Sequence, residues 1–190
     1  MNETIEAEII DSTPEPDMEP GGLPARFGAI CLDLILVTAV FALLLTQIIL
    51  PEWYPGAMDE MIQQFENSGN ANEEVPPPPP SENLRDAIRT SNALSFFFIF
   101  LYFTFVPVLF GGGTLGMRIF NLRIQDRDKP IPPSLRSHFV RGAVKTLCLQ
   151  VLFPFLTLLF LAALRNPQRM AIHDLLARTR VVRGPAFSAK

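Results

Sequence analysis

One acidic residue, Asp33, lies inside an otherwise apolar run from Ala29 to Leu50. The 22 positions of this run would form a helix of about 33 Å, which is long enough to cross a bilayer. A carboxylate in hydrocarbon costs on the order of 2.5–3.5 kcal/mol, so it normally faces protein or water. The run therefore predicts a membrane-spanning helix with an ionisable group inside the membrane.

Two roles for Asp33 are consistent with this placement. It could be a proton or cation site, where the carboxylate binds and releases a proton or cation inside the membrane. It could also be half of a fixed ion pair, for which Arg141 and Lys145 are candidate partners near the same interface. Arg26 lies seven residues earlier on the same helix face, about 10.5 Å away along the axis. The residue types leave both roles open.

A second acidic residue, Asp174, lies in the basic C-terminal segment. Arg178, four residues further on, would be a helical partner worth about 0.2–0.5 kcal/mol. Asp174 could also pair with Arg26 where the tail meets the membrane domain. We expect a structural ion pair here, because partly exposed pairs usually have that role. His173 could titrate near neutral pH, but one histidine without a second ligand is a poor metal site.

The chemistry expected of an enzyme is missing from the sequence. No Ser/His/Asp or Cys/His pattern and no metal-ligand spacing occurs, so we expect neither catalysis nor a cofactor or metal. Gly111 and Gly116 have the spacing of a phosphate loop, but Met117 and Arg118 follow where Lys and Ser/Thr would be needed. We therefore reject a nucleotide site.

Three apolar runs predict the fold class, an all-α membrane protein. We predict two transmembrane helices, at about 29–50 and 93–110, and a third apolar segment at about 144–164. The residues before the first run hold seven acids and no basic residue before Arg26. A cleavable signal peptide needs a basic start and a shorter core, so that interpretation fails.

Charge is strongly segregated along the chain and predicts the topology. Residues 1–28 and 51–92 carry fifteen of the nineteen acids, whereas 111–146 holds seven Lys/Arg and the segment after Leu164 holds six. The positive-inside bias places the basic segments and the N-terminus in the cytoplasm and 51–92 outside, in a bacterial cytoplasmic (inner) membrane. Beside membrane spans, a basic loop more simply meets anionic lipid than nucleic acid.

The third apolar segment conflicts with a simple third crossing, which would export the basic tail. From Phe139 to Leu164 it could form about 39 Å of helix, which is too short for two crossings of ~30 Å. We favour a re-entrant hairpin that turns near Pro154, with a cytoplasmic tail, over a single span. A strand predicted at 118–125 needs a partner on its own side, and 179–182 could supply it, giving a small cytoplasmic strand pair.

The remaining segments have simpler signals. Residues 1–22 predict a disordered acidic leader, and 184–190 a tail. We expect Pro51 to end the first helix, Ser81 to cap the second, and 170–177 to form a short amphipathic helix. Loop 51–92 contains an amphipathic helix, whose apolar face is formed by Met58, Met61, Ile62 and Phe65. It also contains a stiff polyproline spacer at 76–80.

Four stretches, in order, resemble the RDD family of small integral membrane proteins, which is named for one Arg and two Asp. Residues 24–33 are similar to the family's start, and 113–126 to its Gly-Thr-x-Gly-Lys segment and the strand after it. Residues 135–141 and 173–182 are similar to its Arg-containing stretch and its closing His-Asp-x-x-Ala-Gly-Thr-x-Val-Val segment. The resemblance covers about residues 23–183.

The resemblance implies a set of signature positions and a function. Met117 departs from it where the family usually has Lys, and Arg178 where it has Gly. Transport, including cation/proton exchange, has been suggested for the family. Two or three helices cannot enclose a pathway, so transport would need a homo-oligomer; the alternative is a non-transporting scaffold or accessory subunit. The implied positions are Arg26, Asp33 and Asp174, with Arg141, His173, Gly113, Thr114 and Gly116 as secondary members.

Overall fold

The computed structural model describes residues 19–69, 78–150, 170–185 and 187. Within these residues the protein is mostly helical and contains one two-stranded antiparallel sheet, as predicted. In chain order the elements are α1 (Leu23–Leu44), a π-helical segment (Leu45–Ile49), α2 (Leu50–Trp53), α3 (Ala57–Gly69), α4 (Glu82–Leu109), α5 (Leu115–Ile119), β1 (Leu122–Asp126), α6 (Leu135–Gln150), α7 (Ile172–Ala177) and β2 (Thr179–Arg183).

The first apolar helix is longer than predicted. From Leu23 it continues through the π-helical segment and α2 to Trp53, a total of 31 residues. The prediction that Pro51 ends this helix is wrong, because Pro51 lies in the first turn of α2. Because the helix is continuous there, Pro51 leaves one backbone hydrogen bond unmade, and the π-helical segment directly before it is where the hydrogen-bonding pattern changes.

The two long helices leave most of their apolar surface exposed. In the most apolar 18-residue stretch, 17% of the positions are buried in the first helix and 22% in α4. Phe27, Ile35 and Leu43 are 59%, 66% and 63% exposed. The core helix of a soluble protein would bury such side chains. By length and composition, both helices could span a membrane, and their exposed apolar sides agree with that.

The predicted amphipathic helix is α3, which packs against the start of α4. Ala57 of α3 is buried in a small apolar cluster with Leu84 and Ala87 of α4.

The Ser81 hydroxyl accepts a bond from the Leu84 N–H at 3.1 Å, which confirms the predicted N-cap. Ser81 also donates its N–H and its hydroxyl to Glu60 of α3, at 2.7 and 2.5 Å, and these bonds lower the pKa of the Glu60 carboxyl. Residues 70–77, including part of the polyproline spacer, lie outside the described residues.

The two predicted strands pair, but the first one starts later than predicted. β1 and β2 are antiparallel, with Leu122 opposite Arg183 and Asp126 opposite Thr179. Residues 115–119 form helix α5 instead of strand, and Asn121 turns the chain with a positive φ of 52°. The first residues of the predicted strand therefore belong to helix α5 and to the turn at Asn121, and the strand itself starts at Leu122.

Segments at both ends of the described chain pack onto this sheet. The N–H of Gly21 donates to the Val181 carbonyl, and the N–H of Arg183 donates to the Glu19 carbonyl, each at 3.0 Å. The prediction of a disordered leader is therefore wrong for residues 19–22; residues 1–18 lie outside the described residues. In the tail, the N–H of Phe187 donates to the Gly111 carbonyl at 2.9 Å.

Helix α6 lies along α4 and buries a polar face. Its buried residues recur every three or four positions: His138, Arg141, Gly142, Lys145, Thr146 and Leu149. Gly142 lies directly on Thr104 of α4, where a Cβ would come within 3.2 Å of the Thr104 Cα. The predicted third segment thus starts in a helix that begins nine residues before 144. The predicted hairpin turn near Pro154 lies outside the described residues.

The C-cap of α7 yields a stability prediction. Arg178 ends this helix in the left-handed conformation, with φ 51° and ψ 46°. Such a backbone costs a residue with a Cβ about 1–2 kcal/mol, whereas glycine adopts it freely. We expect Arg178→Gly to raise the free energy of unfolding by about 1 kcal/mol, and the Tm of the detergent-purified protein by about 2–4 °C.

Arg178→Ala is the matched control, because it removes the same side chain and keeps the Cβ. It should give no such gain. Equal stabilisation by both substitutions would show that the arginine side chain, rather than the backbone, is unfavourable at this position.

Candidate functional site

The Asp33 carboxylate is buried and held by hydrogen bonds from neutral groups. It is 1% exposed. The Tyr102 hydroxyl and the Gly116 N–H donate to its Oδ1 at 2.7 and 2.8 Å, and the Thr114 hydroxyl donates to its Oδ2 at 2.5 Å. These donors come from α4 and from the start of α5. Asp33 thus joins α1 to both elements.

The Gly-Thr-x-Gly segment has the local structure that this arrangement requires. Thr114 is the N-cap of α5, where its hydroxyl accepts from the Met117 N–H at 3.3 Å while donating to Asp33. Gly116 lies so close to α1 that a Cβ would come within 2.9 Å of an Asp33 oxygen and collide with the Ala29 carbonyl. A residue larger than glycine at 116 would therefore separate α5 from α1.

The ion pair considered for Asp33 is not formed. Within the described residues no salt bridge joins Asp33 to Arg141 or Lys145. Lys145 is nevertheless 5% exposed and within the electrostatic influence of Asp33. Its Nζ lies 3.7 Å from the centre of the Phe103 ring, which gives the ammonium a cation–π contact.

Asp174 forms the ion pairs of the site. Its Oδ2 lies 3.4 Å from Nη1 of Arg26, and its Oδ1 accepts a hydrogen bond from Arg141. The N–H of Ala171 also donates to Oδ2 at 3.3 Å. The pairing with Arg178 that the i, i+4 spacing offered is wrong: Arg178 is exposed, whereas Asp174 is 1% exposed.

Each arginine of this cluster makes a second bond that fixes the sheet. Arg26 donates to the Val181 carbonyl at 2.7 Å, and Arg141 donates to the Thr179 hydroxyl at 3.1 Å. Both acceptors belong to β2. The Arg26–Asp174–Arg141 cluster therefore connects α1, α6, α7 and the sheet. We call it the Asp174 bracket.

His173 and Asp174 differ in how burial and charge affect them. Burial lowers the pKa of His173 to about 3, with Arg141, Lys145 and Arg26 nearby adding to that effect against the opposite influence of Asp174. Its Nε2 is 3.6 Å from Asp174 Oδ1, so at neutral pH this is a contact of a neutral imidazole and not an ion pair. Burial opposes ionisation of Asp174, but the guanidiniums of Arg141 and Arg26 outweigh it and keep the pKa of Asp174 below its usual value.

The Asp174 bracket adjoins a small cavity of about 20 Å³, room for about one water molecule. Charged side chains of both the bracket and α6 line it, with Met117 on its apolar wall. Met117 is the position where the family resemblance leads one to expect Lys. The cavity lining includes Arg26, Arg141, Lys145, His173 and Asp174.

Sequence reasoning singled out most of these residues, and the predicted pairing of Asp174 with Arg26 is confirmed, but the other partners were not predicted. The structure brings Arg26, Asp174, Arg141 and His173 into one cluster and places Asp33 with Thr114 and Gly116 in another. Tyr102 and Thr179 were missed. The signal for Tyr102 was a hydroxyl in a run of phenylalanines, and that for Thr179 was the Thr of the closing family segment, to which no role was assigned. No group of three or more His, Cys, Asp or Glu side chains arranged to hold a metal occurs within the described part of the chain.

The fold and site define a helical protein with two long apolar helices and buried charged residues at one end. A family model described as "RDD family" matches residues 20–178, and the chain belongs to that family. This confirms the resemblance found in the sequence. No curated protein and no solved structure matches the chain.

The bracket predicts a large loss of stability on removing its carboxylate. Asp174→Asn keeps an oxygen acceptor for the Ala171 N–H but removes the negative charge that Asp174 supplies to the buried Arg26 and Arg141. Breaking a buried pair in this way costs about 3–5 kcal/mol. We expect a fall in Tm of roughly 10 °C or more in detergent, measured by differential scanning fluorimetry.

Asp128→Asn is the control for this loss, because Asp128 is exposed. It removes the same charge and should leave the Tm within about 1 °C, since exposed charges contribute little. A fall of the same size in both variants would mean that net charge, not the bracket, determines stability.

The two histidines of the chain predict an acid-sensitive stability. Burial, with Arg141 adding to it, lowers the pKa of His138 to about 4, and that of His173 is about 3. Both bind a proton more readily when unfolded, near pH 6.5, so the unfolded state gains protons first as pH falls. The free energy of unfolding should therefore drop below pH 6.5, by up to about 1.4 kcal/mol per pH unit for each histidine.

This slope can be measured by thermal unfolding between pH 7 and pH 4.5. The double variant His138→Gln, His173→Gln should have a much flatter profile above pH 5 than the wild type. An unchanged profile would assign the acid sensitivity to other groups.

Proposed function

We propose that this RDD-family protein is a multi-pass protein of the bacterial cytoplasmic membrane. The exposed apolar sides of α1 and α4 support the proposal, because they would meet lipid directly. Pairing of β1 with β2 supports a tail on the same side as the 111–146 loop. Since the chain between these strands begins and ends at one sheet, any excursion into the membrane must return. This agrees with a re-entrant third segment.

The basic end of the molecule is placed in the cytoplasm by this proposal. Residues 19–21 bond to β2, so the start of α1 lies at the same end as the sheet. The 111–146 loop and the tail carry their Lys/Arg excess there, which fits the positive-inside bias and contact with anionic lipid. The acidic 51–92 segment then faces the outside.

Within this membrane protein, we propose that Asp33 exchanges a proton for a small cation, with several copies forming the pathway. The observation that carries this proposal is a buried carboxylate held by three neutral donors instead of a fixed cation. Its charge is thus left for a proton, a cation or nearby Lys145 to balance. Hydroxyl and carboxylate oxygens, as in Tyr102, Thr114 and Asp33, are the ligands that hard cations prefer.

One observation favours the alternative, a non-transporting scaffold or accessory subunit. Both oxygens of Asp33 already accept hydrogen bonds that hold α5 and α4 on α1. A carboxylate used in this way stabilises the helix packing without exchanging any ion. The two functions differ in what replacement of the carboxylate would do.

The transport proposal predicts that Asp33→Asn abolishes ion-driven flux but still inserts and assembles. Asparagine keeps an oxygen for Thr114 or Gly116 and cannot carry a proton in exchange for a cation. Wild type and variant are reconstituted in proteoliposomes containing a pH-sensitive dye, and Na⁺, K⁺ or Li⁺ is added outside. We expect cation-driven dye changes for the wild type and a loss of at least tenfold for the variant.

Asp128→Asn is the control and should retain wild-type flux. Absence of flux for the wild type, together with co-purification of a fixed partner, would support the scaffold. Loss of insertion or assembly in Asp33→Asn would assign the carboxylate to structure.

The topology is tested separately with reporters. A phosphatase that is active only outside the cytoplasm, fused after Lys190, should be inactive, and fused within loop 51–92 it should be active. Activity of the fusion after Lys190 would place the tail outside and remove the re-entrant segment.

A further inference from the structure

Lys145 is buried, and none of the described residues supplies it with a hydrogen-bonded counter-charge. It is 5% exposed, lines the cavity beside the Asp174 bracket, and contacts the face of the Phe103 ring. No hydrogen bond or salt bridge of Lys145 occurs within the described residues. A buried ammonium normally needs an acceptor, because it loses its hydration on folding.

The nearby carboxylates do not supply that acceptor. Asp174 is shared by two guanidiniums, and the hydrogen bonds to Asp33 come from Tyr102, Thr114 and Gly116. Among the described residues of this region, three cationic side chains therefore face two carboxylates. His173, which is neutral at pH 7, does not change that balance.

The cavity has the size and polarity of a site for one small anion. It has room for about one water molecule, which would also hold a monatomic halide but exclude a phosphate or sulfate. His173 lines the same cavity, and its buried Nδ1 has no hydrogen-bond partner in the described part of the chain. An imidazole protonated at Nδ1 is a donor, as is the ammonium of Lys145.

We propose that this cavity binds a single chloride ion, with Lys145 as its principal ligand. The ion supplies the missing negative charge beside the bracket and accepts a hydrogen bond from Lys145. The His173 tautomer that carries its single proton on Nδ1 donates a second one. This site is separate from the cation exchange proposed at Asp33 and does not require it. A chloride-dependent stability of the cytoplasmic end follows, because the ion binds the folded state alone.

The test measures thermal unfolding of the full-length, detergent-purified protein in sodium chloride and in sodium gluconate. Ionic strength is the same in both series, because both are 1:1 salts. Gluconate is the control anion because it is too large for the cavity. We expect the wild-type Tm to rise with chloride in the logarithmic manner of ligand binding, by roughly 10 °C at 300 mM for a Kd of about 1 mM. A Tm that is equal in the two salts would overturn the proposal and leave water as the occupant.

Lys145→Met removes the ammonium and keeps an unbranched side chain against the apolar wall and Phe103. It should fold and lose the chloride dependence. Lys129→Met, the same substitution at an exposed position, should retain it. Chloride dependence that persists in Lys145→Met would overturn the assignment of the site.

Two further measurements do not depend on the folding of Lys145→Met. The ³⁵Cl NMR line of the wild-type sample should broaden beyond that of empty detergent, and bromide should compete for the broadening. Asp33→Asn removes a negative charge near the cavity, so it should bind chloride at least as tightly while losing cation flux. Weaker broadening in Asp33→Asn would contradict the charge balance; absence of flux in the wild type would leave chloride binding unaffected.

Discussion

A single carboxylate between two buried guanidiniums sets the arrangement of the cytoplasmic end that we propose. Asp174 pairs with Arg26 and Arg141, which are 148 and 33 residues away in the chain. Both arginines would be unfavourable in this interior without it, and each is also bonded to β2. This cluster is therefore a fixed connection. The start of α1 is thereby held at the sheet, and this position of the helix also determines where Asp33 lies.

Asp33, two turns further along α1, makes a different kind of connection. Its partners are two hydroxyls and one backbone N–H, which orient the carboxylate without neutralising it. The short helix α5 depends on this interaction, because Thr114 uses one hydroxyl both to cap the helix and to bond Asp33. Gly116 allows the backbones to approach closely enough for the N–H to reach. The Gly-Thr-x-Gly segment is thus explained by geometry around one carboxylate.

Local patterns predicted the local features of this protein. Apolar length predicted the two long helices, and side-chain chemistry predicted the Ser81 cap and the amphipathic α3. The i, i+4 spacing failed for Asp174, which bonds to Arg26 and Arg141 rather than to Arg178. A buried carboxylate needs counter-charges that reach it in the interior, and Arg178 is exposed. Alternation likewise cannot show where a helix ends and a strand begins. Tertiary partners of buried polar groups are not encoded by local sequence.

The contrast between the two carboxylates bears on how a small membrane protein could combine stability with ion exchange. A carboxylate already balanced by two permanent cations cannot change its charge without a large loss of stability, so Asp174 is suited to structure. Asp33 is held by hydrogen bonds from neutral groups, and Lys145, which lines the small cavity, is within its electrostatic influence. Loading Asp33 with a proton or cation would leave Lys145 with less compensation. An anion in the cavity would offset that change, which couples the proposed chloride site to the proposed exchange through charge alone.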